Sequence, residues 1–96
     1  MQVDVHELEF DDGNEDEMWR HRVRAVEVNQ VLDNEPVFFP NKAAHAARIV
    51  MIGPTFGGRL LTVPLAETPV PGLWRPATAF ESSAGERARY RAATGG

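Results

Sequence analysis

Arg48-Ile-Val-Met-Ile-Gly53, the turn Pro54-Thr-Phe-Gly-Gly58, Arg59-Leu-Leu-Thr-Val-Pro-Leu65 and, after a loop, Leu73-Trp-Arg75-Pro-Ala-Thr-Ala-Phe80 form the stretch that decides the fold. The first two runs are short, apolar and bounded by glycine and proline, so they read as strands. Gly57-Gly58 supplies the positive φ of the reversal between them. With the third run, residues 48–80 predict an antiparallel meander. Each strand opens at or beside an arginine: Arg48, Arg59 and Arg75. A sheet arginine either lays its stem along the surface or binds a planar anion such as phosphate. Pro64 and Pro76 fall inside the two later strands, and since proline cannot donate to a central ladder, each marks an edge, a bulge or a strand end.

Upstream of the meander, Val37-Phe38-Phe39 reads as a short buried strand and residues 40–47 as a loop or a frayed helical turn. Alternation at the N-terminus predicts a strand over about Glu7 to Phe10. Asp11-Asp12-Gly13-Asn14 offers capping side chains for a helix over roughly Asn14 to His21, with acids in its first turn and Arg20 in its last, as the macrodipole favours. Arg22-Val23-Arg24 is a tight break. A second helix, Ala25 to Asp33, puts Val28, Val31 and Leu32 on one stripe. Val23 and Val28 stand at the spacing of a hydrophobic staple, with Glu27 at N3. Pro36 ends this helix. After the meander, Ser83 and Glu86 form a capping box for a helix from Ala84 to about Tyr90. Residues 1–91 thus predict one α+β domain. An N-terminal strand leads into two helices packed on a mostly antiparallel sheet of four to five strands, and a short C-terminal helix follows. Residues 92–96 read as a disordered tail.

The chain has 96 residues, 43% of them apolar, and no cysteine, which leaves neither a disulfide framework nor a thiolate metal site. The histidines are scattered, so no metal or cofactor is expected. No apolar run reaches membrane-spanning length and the acidic N-terminus lacks the features of a signal peptide, so the expectation is a cytoplasmic protein without membrane contact. The net charge of -4 is unevenly spread. Eight of the fourteen acids lie between Asp4 and Glu17, whereas from Met18 onward ten basic residues, nine of them arginine, face six acids. An arginine-rich body permits an anionic ligand, but the overall acidity weighs against nucleic acid.

Several residues taken in order resemble the BrnT-type toxins of the RelE/ParE-like superfamily. They are Phe10-Asp11 at the strand exit, Arg20-His21-Arg22-Val23, Arg48-Ile-Val-Met-Ile-Gly53, Gly58-Arg59-Leu60-Leu61-Thr62-Val63, Arg75 with Ala79, and Glu86 with Tyr90. The resemblance covers nearly the whole chain. It implies a RelE-like fold and the toxin of a type II toxin–antitoxin pair. Such a toxin is a metal-independent endoribonuclease that inhibits translation, silenced by a BrnA-like antitoxin in a dimer or a 2:2 complex. The chain departs from the pattern at Arg22, where the family prefers glycine, at Ala47, where it has glutamate, and at Phe80, where it has a second arginine.

RNA cleavage through the 2′-hydroxyl needs a base, a cation for the charge gathering on phosphorus and an acid for the leaving oxygen. The catalytic candidates are Arg48, Arg75, His21 and Glu86, with Arg59, His45, Tyr90 and Trp19 as RNA contacts. Each has a structural reading beside it. Arg48 and Arg75, predicted to share one end of the meander with Arg59 at the other, either grip an anion or pair with the acidic first helix. His21 can be a helix-end contact and His45 a solvated loop residue. Glu86 is explained by its capping box, Tyr90 by packing, and Trp19, like Trp74, by core or rim. The competing function is a non-catalytic protein-binding or inhibitor module on the same fold, ParE-like or a stand-alone domain with lost activity.

Overall fold

The computed structural model describes residues 3–41 and 46–95. The elements run β1 (Glu7–Leu8), α1 (Asp12–Trp19), α2 (Ala25–Asp33), β2 (Val37–Pro40), β3 (Ala47–Pro54), β4 (Leu60–Glu67), β5 (Leu73–Pro76), β6 (Phe80–Glu81) and α3 (Ala84–Thr94). This is the expected α+β order, with three helices on one sheet. The sheet, however, is mixed and has six strands, in the order β1-β5-β4-β3-β2 with β6 also on β4. β1 runs parallel to β5, with Glu7 opposite Leu73 and Leu8 opposite Trp74, and every other pairing is antiparallel.

The parallel β1 makes the sheet mixed, and the sixth strand traces to the prolines. Pro64 turns its polar edge toward β5, where its carbonyl accepts from the Ala77 N–H at 2.9 Å but no donor is returned. The register on β4 then slips between Leu65↔Pro76 and Thr62↔Phe80, so the third meander strand divides into β5 and β6. Pro76 closes β5. Beyond it the buried side chain of Asn14 takes over from the ladder, with Nδ2 donating to the carbonyls of Glu9 at 2.9 Å and Pro76 at 3.0 Å. A single amide thereby splices β1, α1 and β5 where a strand bond is missing.

The core lies between the helix pair and one sheet face. Strand alternation places Ile49, Met51 and Gly53 of β3 beside Leu65, Val63 and Leu61 of β4. Met18 of α1 and Val28 and Val31 of α2 close over them with Val23, and all of these side chains except glycine belong to one buried cluster. Burying each such aliphatic side chain contributes about 1.5–3 kcal/mol. Gly53 has no room to grow: a Cβ there would meet Pro36 at 3.1 Å and Val31 at 3.2 Å. α3 leans on the reverse face, where the Arg89 guanidinium lies 4.1 Å from the Phe39 ring centroid.

The helix ends differ from expectation in instructive ways. α1 starts at Asp12 because Asp11 is the cap. Its carboxylate accepts from the Asn14 N–H at 3.0 Å and the Asn14 side chain accepts from the Asp11 N–H at 2.9 Å. The helix stops at Trp19 in a Schellman turn, in which the Val23 N–H bonds back to the Met18 carbonyl and the Arg22 N–H to Trp19. Arg22 is the left-handed residue of that turn, φ 58°. α2 occupies the expected Ala25–Asp33. α3 continues past Tyr90 to Thr94, since Arg91, Ala92 and Ala93 are strong helix formers and Gly95, φ 76°, ends it. Residues 92–94, expected in a disordered tail, are therefore helical.

β2 is an edge strand. The Asn41 N–H donates to the Arg48 carbonyl, so the backbone polar groups of the odd-numbered residues of β2 point at β3 and those of Phe38 and Pro40 point away from it. Of these two, Phe38 alone carries an N–H.

Candidate functional site

The sheet register places Arg48 and Arg75 at one end of the meander. Ala66 on β4 pairs with Ala47 on one side and Arg75 on the other, which puts the two arginine backbones roughly 10 Å apart. Arg59 leads into the opposite end of β4, facing Pro54 through Leu60. None of the three guanidiniums is free. Arg75 grips Asp11 with a two-pronged fork, Nη1 to Oδ2 at 2.6 Å and Nη2 to Oδ1 at 2.9 Å, and reaches Glu9 at 3.5 Å. That fork, helped by the Asn14 N–H, holds the Asp11 carboxyl down to about 2. The same pairing raises the Arg75 guanidinium above its ordinary value.

Arg59 is the most enclosed. Desolvation works against its charge, but the carboxylates of Glu27, at 3.0 Å, and Glu81, at 3.1 Å, overcome it and raise its pKa. Its Nη1 also donates to the Arg22 carbonyl at 2.8 Å and its Nη2 to the His21 carbonyl at 3.4 Å. One side chain thus ties β4 to β6, to α2 and to the break between the helices. Arg48 makes the loosest contact, a 3.0 Å pair with Glu67 between two solvent-exposed side chains.

The other predicted residues are scattered. His21 is exposed at the helix break with its ring 5.7 Å from Phe80. Glu86 caps α3, its Oε1 accepting from the Ser83 N–H at 2.7 Å. Tyr90 is half-buried on α3. His45 lies outside the described residues. Among the described residues no three metal-ligating side chains converge, and no helix is long and apolar enough to cross a membrane.

Trp19 has a different setting. Its ring is 44% exposed at the end of α1. The guanidinium carbons of Arg22 and Arg24 lie over it at 4.9 and 5.0 Å from its centroid. Beside it, Val26 is 59% exposed. Glu15, Trp19, Val23, Arg24, Ala25 and Val26 line an open hollow of about 420 Å³. No carboxylate among the described residues forms an ion pair with Arg22 or Arg24. The sequence reading took Arg22-Val23-Arg24 as a break, with Arg22 in place of a glycine and Val23 in a staple, and did not join its arginines to Trp19. The signal it passed over is local: Trp19-Arg20-His21-Arg22-Val23-Arg24 sets three arginines within five residues of a tryptophan that ends a helix.

Fold and site together define an α+β domain whose sheet arginines are tied to carboxylates and whose exposed Trp19 ring carries two guanidiniums that form no ion pair among the described residues. No family profile and no curated protein sequence matches this chain.

Proposed function

We propose that this chain is a non-catalytic protein-binding module on a RelE-like frame, its partner being a second polypeptide such as the antitoxin that the resemblance implies. The observation that carries this reading is the distribution of free positive charge. An RNA-cleaving site on the meander needs guanidiniums open to a phosphate, yet Arg48, Arg59 and Arg75 each hold a carboxylate. A scissile phosphate would have to displace the Asp11 fork from Arg75, a charge-assisted pair with good geometry. Among the described residues the arginines that form no ion pair are Arg22 and Arg24 at the helix corner and Arg87, Arg89 and Arg91 on α3. Of these, Arg22 and Arg24 flank the exposed Trp19 beside Val26, and tryptophan and arginine are both enriched among the anchors of protein interfaces.

The test pairs two measurements. Purified protein, with Arg75→Ala and Arg48→Ala beside it, is incubated with total RNA. The chain is also co-expressed with its neighbouring open reading frame and purified. Intact RNA and a stoichiometric complex are the expected results. RNA cleavage that both substitutions abolish would replace this reading with the endoribonuclease one.

A further inference from the structure

Two positions at the α1–α2 corner, separated only by Val23, hold residues that their local backbone disfavours. Arg22 has φ 58° in a Schellman turn, the position glycine ordinarily fills. Arg24 is the N-cap of α2, where serine, threonine, aspartate or asparagine would bond the orphan N–H groups and arginine, a donor only, makes no side-chain cap bond. These are separate rules broken for separate reasons, yet both exceptions send a guanidinium to the same ring, Trp19. Sequences depart from local preference chiefly where function requires it. The other large exposed apolar side chains, Phe56 and Val70, stand apart, whereas Trp19 and Val26 share one hollow.

Resting on the protein-binding reading, we infer that this corner is the docking site and that it takes an acidic peptide segment carrying an apolar side chain. A carboxylate of that segment sits between the Arg22 and Arg24 guanidiniums, which lack one of their own. Its apolar neighbour lies in the hollow against Val23, Ala25 and Val26. Charge and shape favour such a segment over RNA. Guanidinium already covers the Trp19 ring, so a stacking base must compete for it. Glu15 lines the same hollow and Asp12, Asp16 and Glu17 share its helix, an arrangement that tolerates one well-placed carboxylate and repels a continuous phosphate chain.

The test uses the double variant Arg22→Gly with Arg24→Ser, each substitution being the residue its backbone position prefers, so a loss of binding cannot be laid to unfolding. The probes are a fluorescein-labelled, otherwise uncharged peptide with a single glutamate beside a leucine pair, its lysine counterpart, and a labelled single-stranded RNA, all read by anisotropy at low salt. The wild-type chain should bind the glutamate peptide, release it as salt rises, and lose at least about tenfold in affinity in the double variant. Equal binding by the double variant, equal binding of the lysine peptide, or tighter binding of RNA would each overturn the inference. The co-expressed complex separates the two readings. A partner retained undiminished by the double variant leaves the module standing and removes the corner as its site. The absence of any partner removes the module itself, whatever the peptide does.

Discussion

The arginines of the sheet and those of the α1–α2 corner are chemically identical and do opposite work. Arg59 and Arg75 are tied to carboxylates from distant elements, Glu27 and Glu81 in one case, Asp11 and Glu9 in the other. They act as rivets between helices and strands. The guanidiniums of Arg22 and Arg24 rest on an aromatic ring and form no ion pair among the described residues. The contrast teaches that an arginine's neighbours decide whether its charge is available, and that position in a conspicuous motif does not. The most visible arginines of the sequence are the engaged ones.

The contrast can be broken most sharply at Arg59. Its loss leaves Glu27 and Glu81 without the cation they share, and two helix-break carbonyls lose their donor. Arg59→Ala should cost about 2–3 kcal/mol in chemical denaturation. A cost under about 0.5 kcal/mol would mean that the rivet is decorative. The Asp11 fork predicts a pH effect next. Asp11 has a folded value of about 2 against an ordinary 3.8, so the folded state binds fewer protons there. Its stabilising contribution is complete above roughly pH 4 and disappears as pH falls toward 2. Arg75→Gln should flatten the stability profile across that window, as thermal melts at stepped pH would read.

The corner predicts small effects. Arg24→Ser supplies a cap of about 1 kcal/mol but removes a cation–π contact of about 0.5–1 kcal/mol, so stability should rise by at most about 0.5 kcal/mol. Arg22→Gly removes a left-handed side chain costing about 1 kcal/mol but also a cation–π contact of about 0.5–1 kcal/mol, so its melting curve should nearly overlay the wild type. The smallest effect is expected at Arg48, whose pair with Glu67 is exposed on both sides. Arg48→Ala should lie within about 0.5 kcal/mol of wild type.

How much was legible follows from the range over which each feature is encoded. α2 was readable to the residue, since its valine stripe, Glu27 and Pro36 are all local. The meander was readable from its apolar runs. Pro64 and Pro76 announced a disruption, but the register slip they cause depends on a partner strand that the sequence does not place alongside them. The far end of α3 was lost because Arg91, Ala92 and Ala93 carry the helix onward and Gly95, the residue that stops it, lies beyond them. The arginine sites were least legible. Asp11 and Arg75 are far apart in the chain, as are Glu27 and Arg59, so no spacing rule links them. Pairing with the leading helix was one of two readings of Arg75, and the choice needed coordinates. The corner lay within one short segment, yet its meaning depended on the left-handed turn that folds Arg22 and Arg24 back onto Trp19.

One proline and one very short strand bear on how the sheet ends. Pro40 withholds a hydrogen along the outer border of β2, which leaves Phe38 as that strand's outward donor, and the opposite border, β1, is only two residues long. Both margins are poor templates for backbone zippering. A visiting strand would gain few bonds at either, so the domain should resist ripening into fibres.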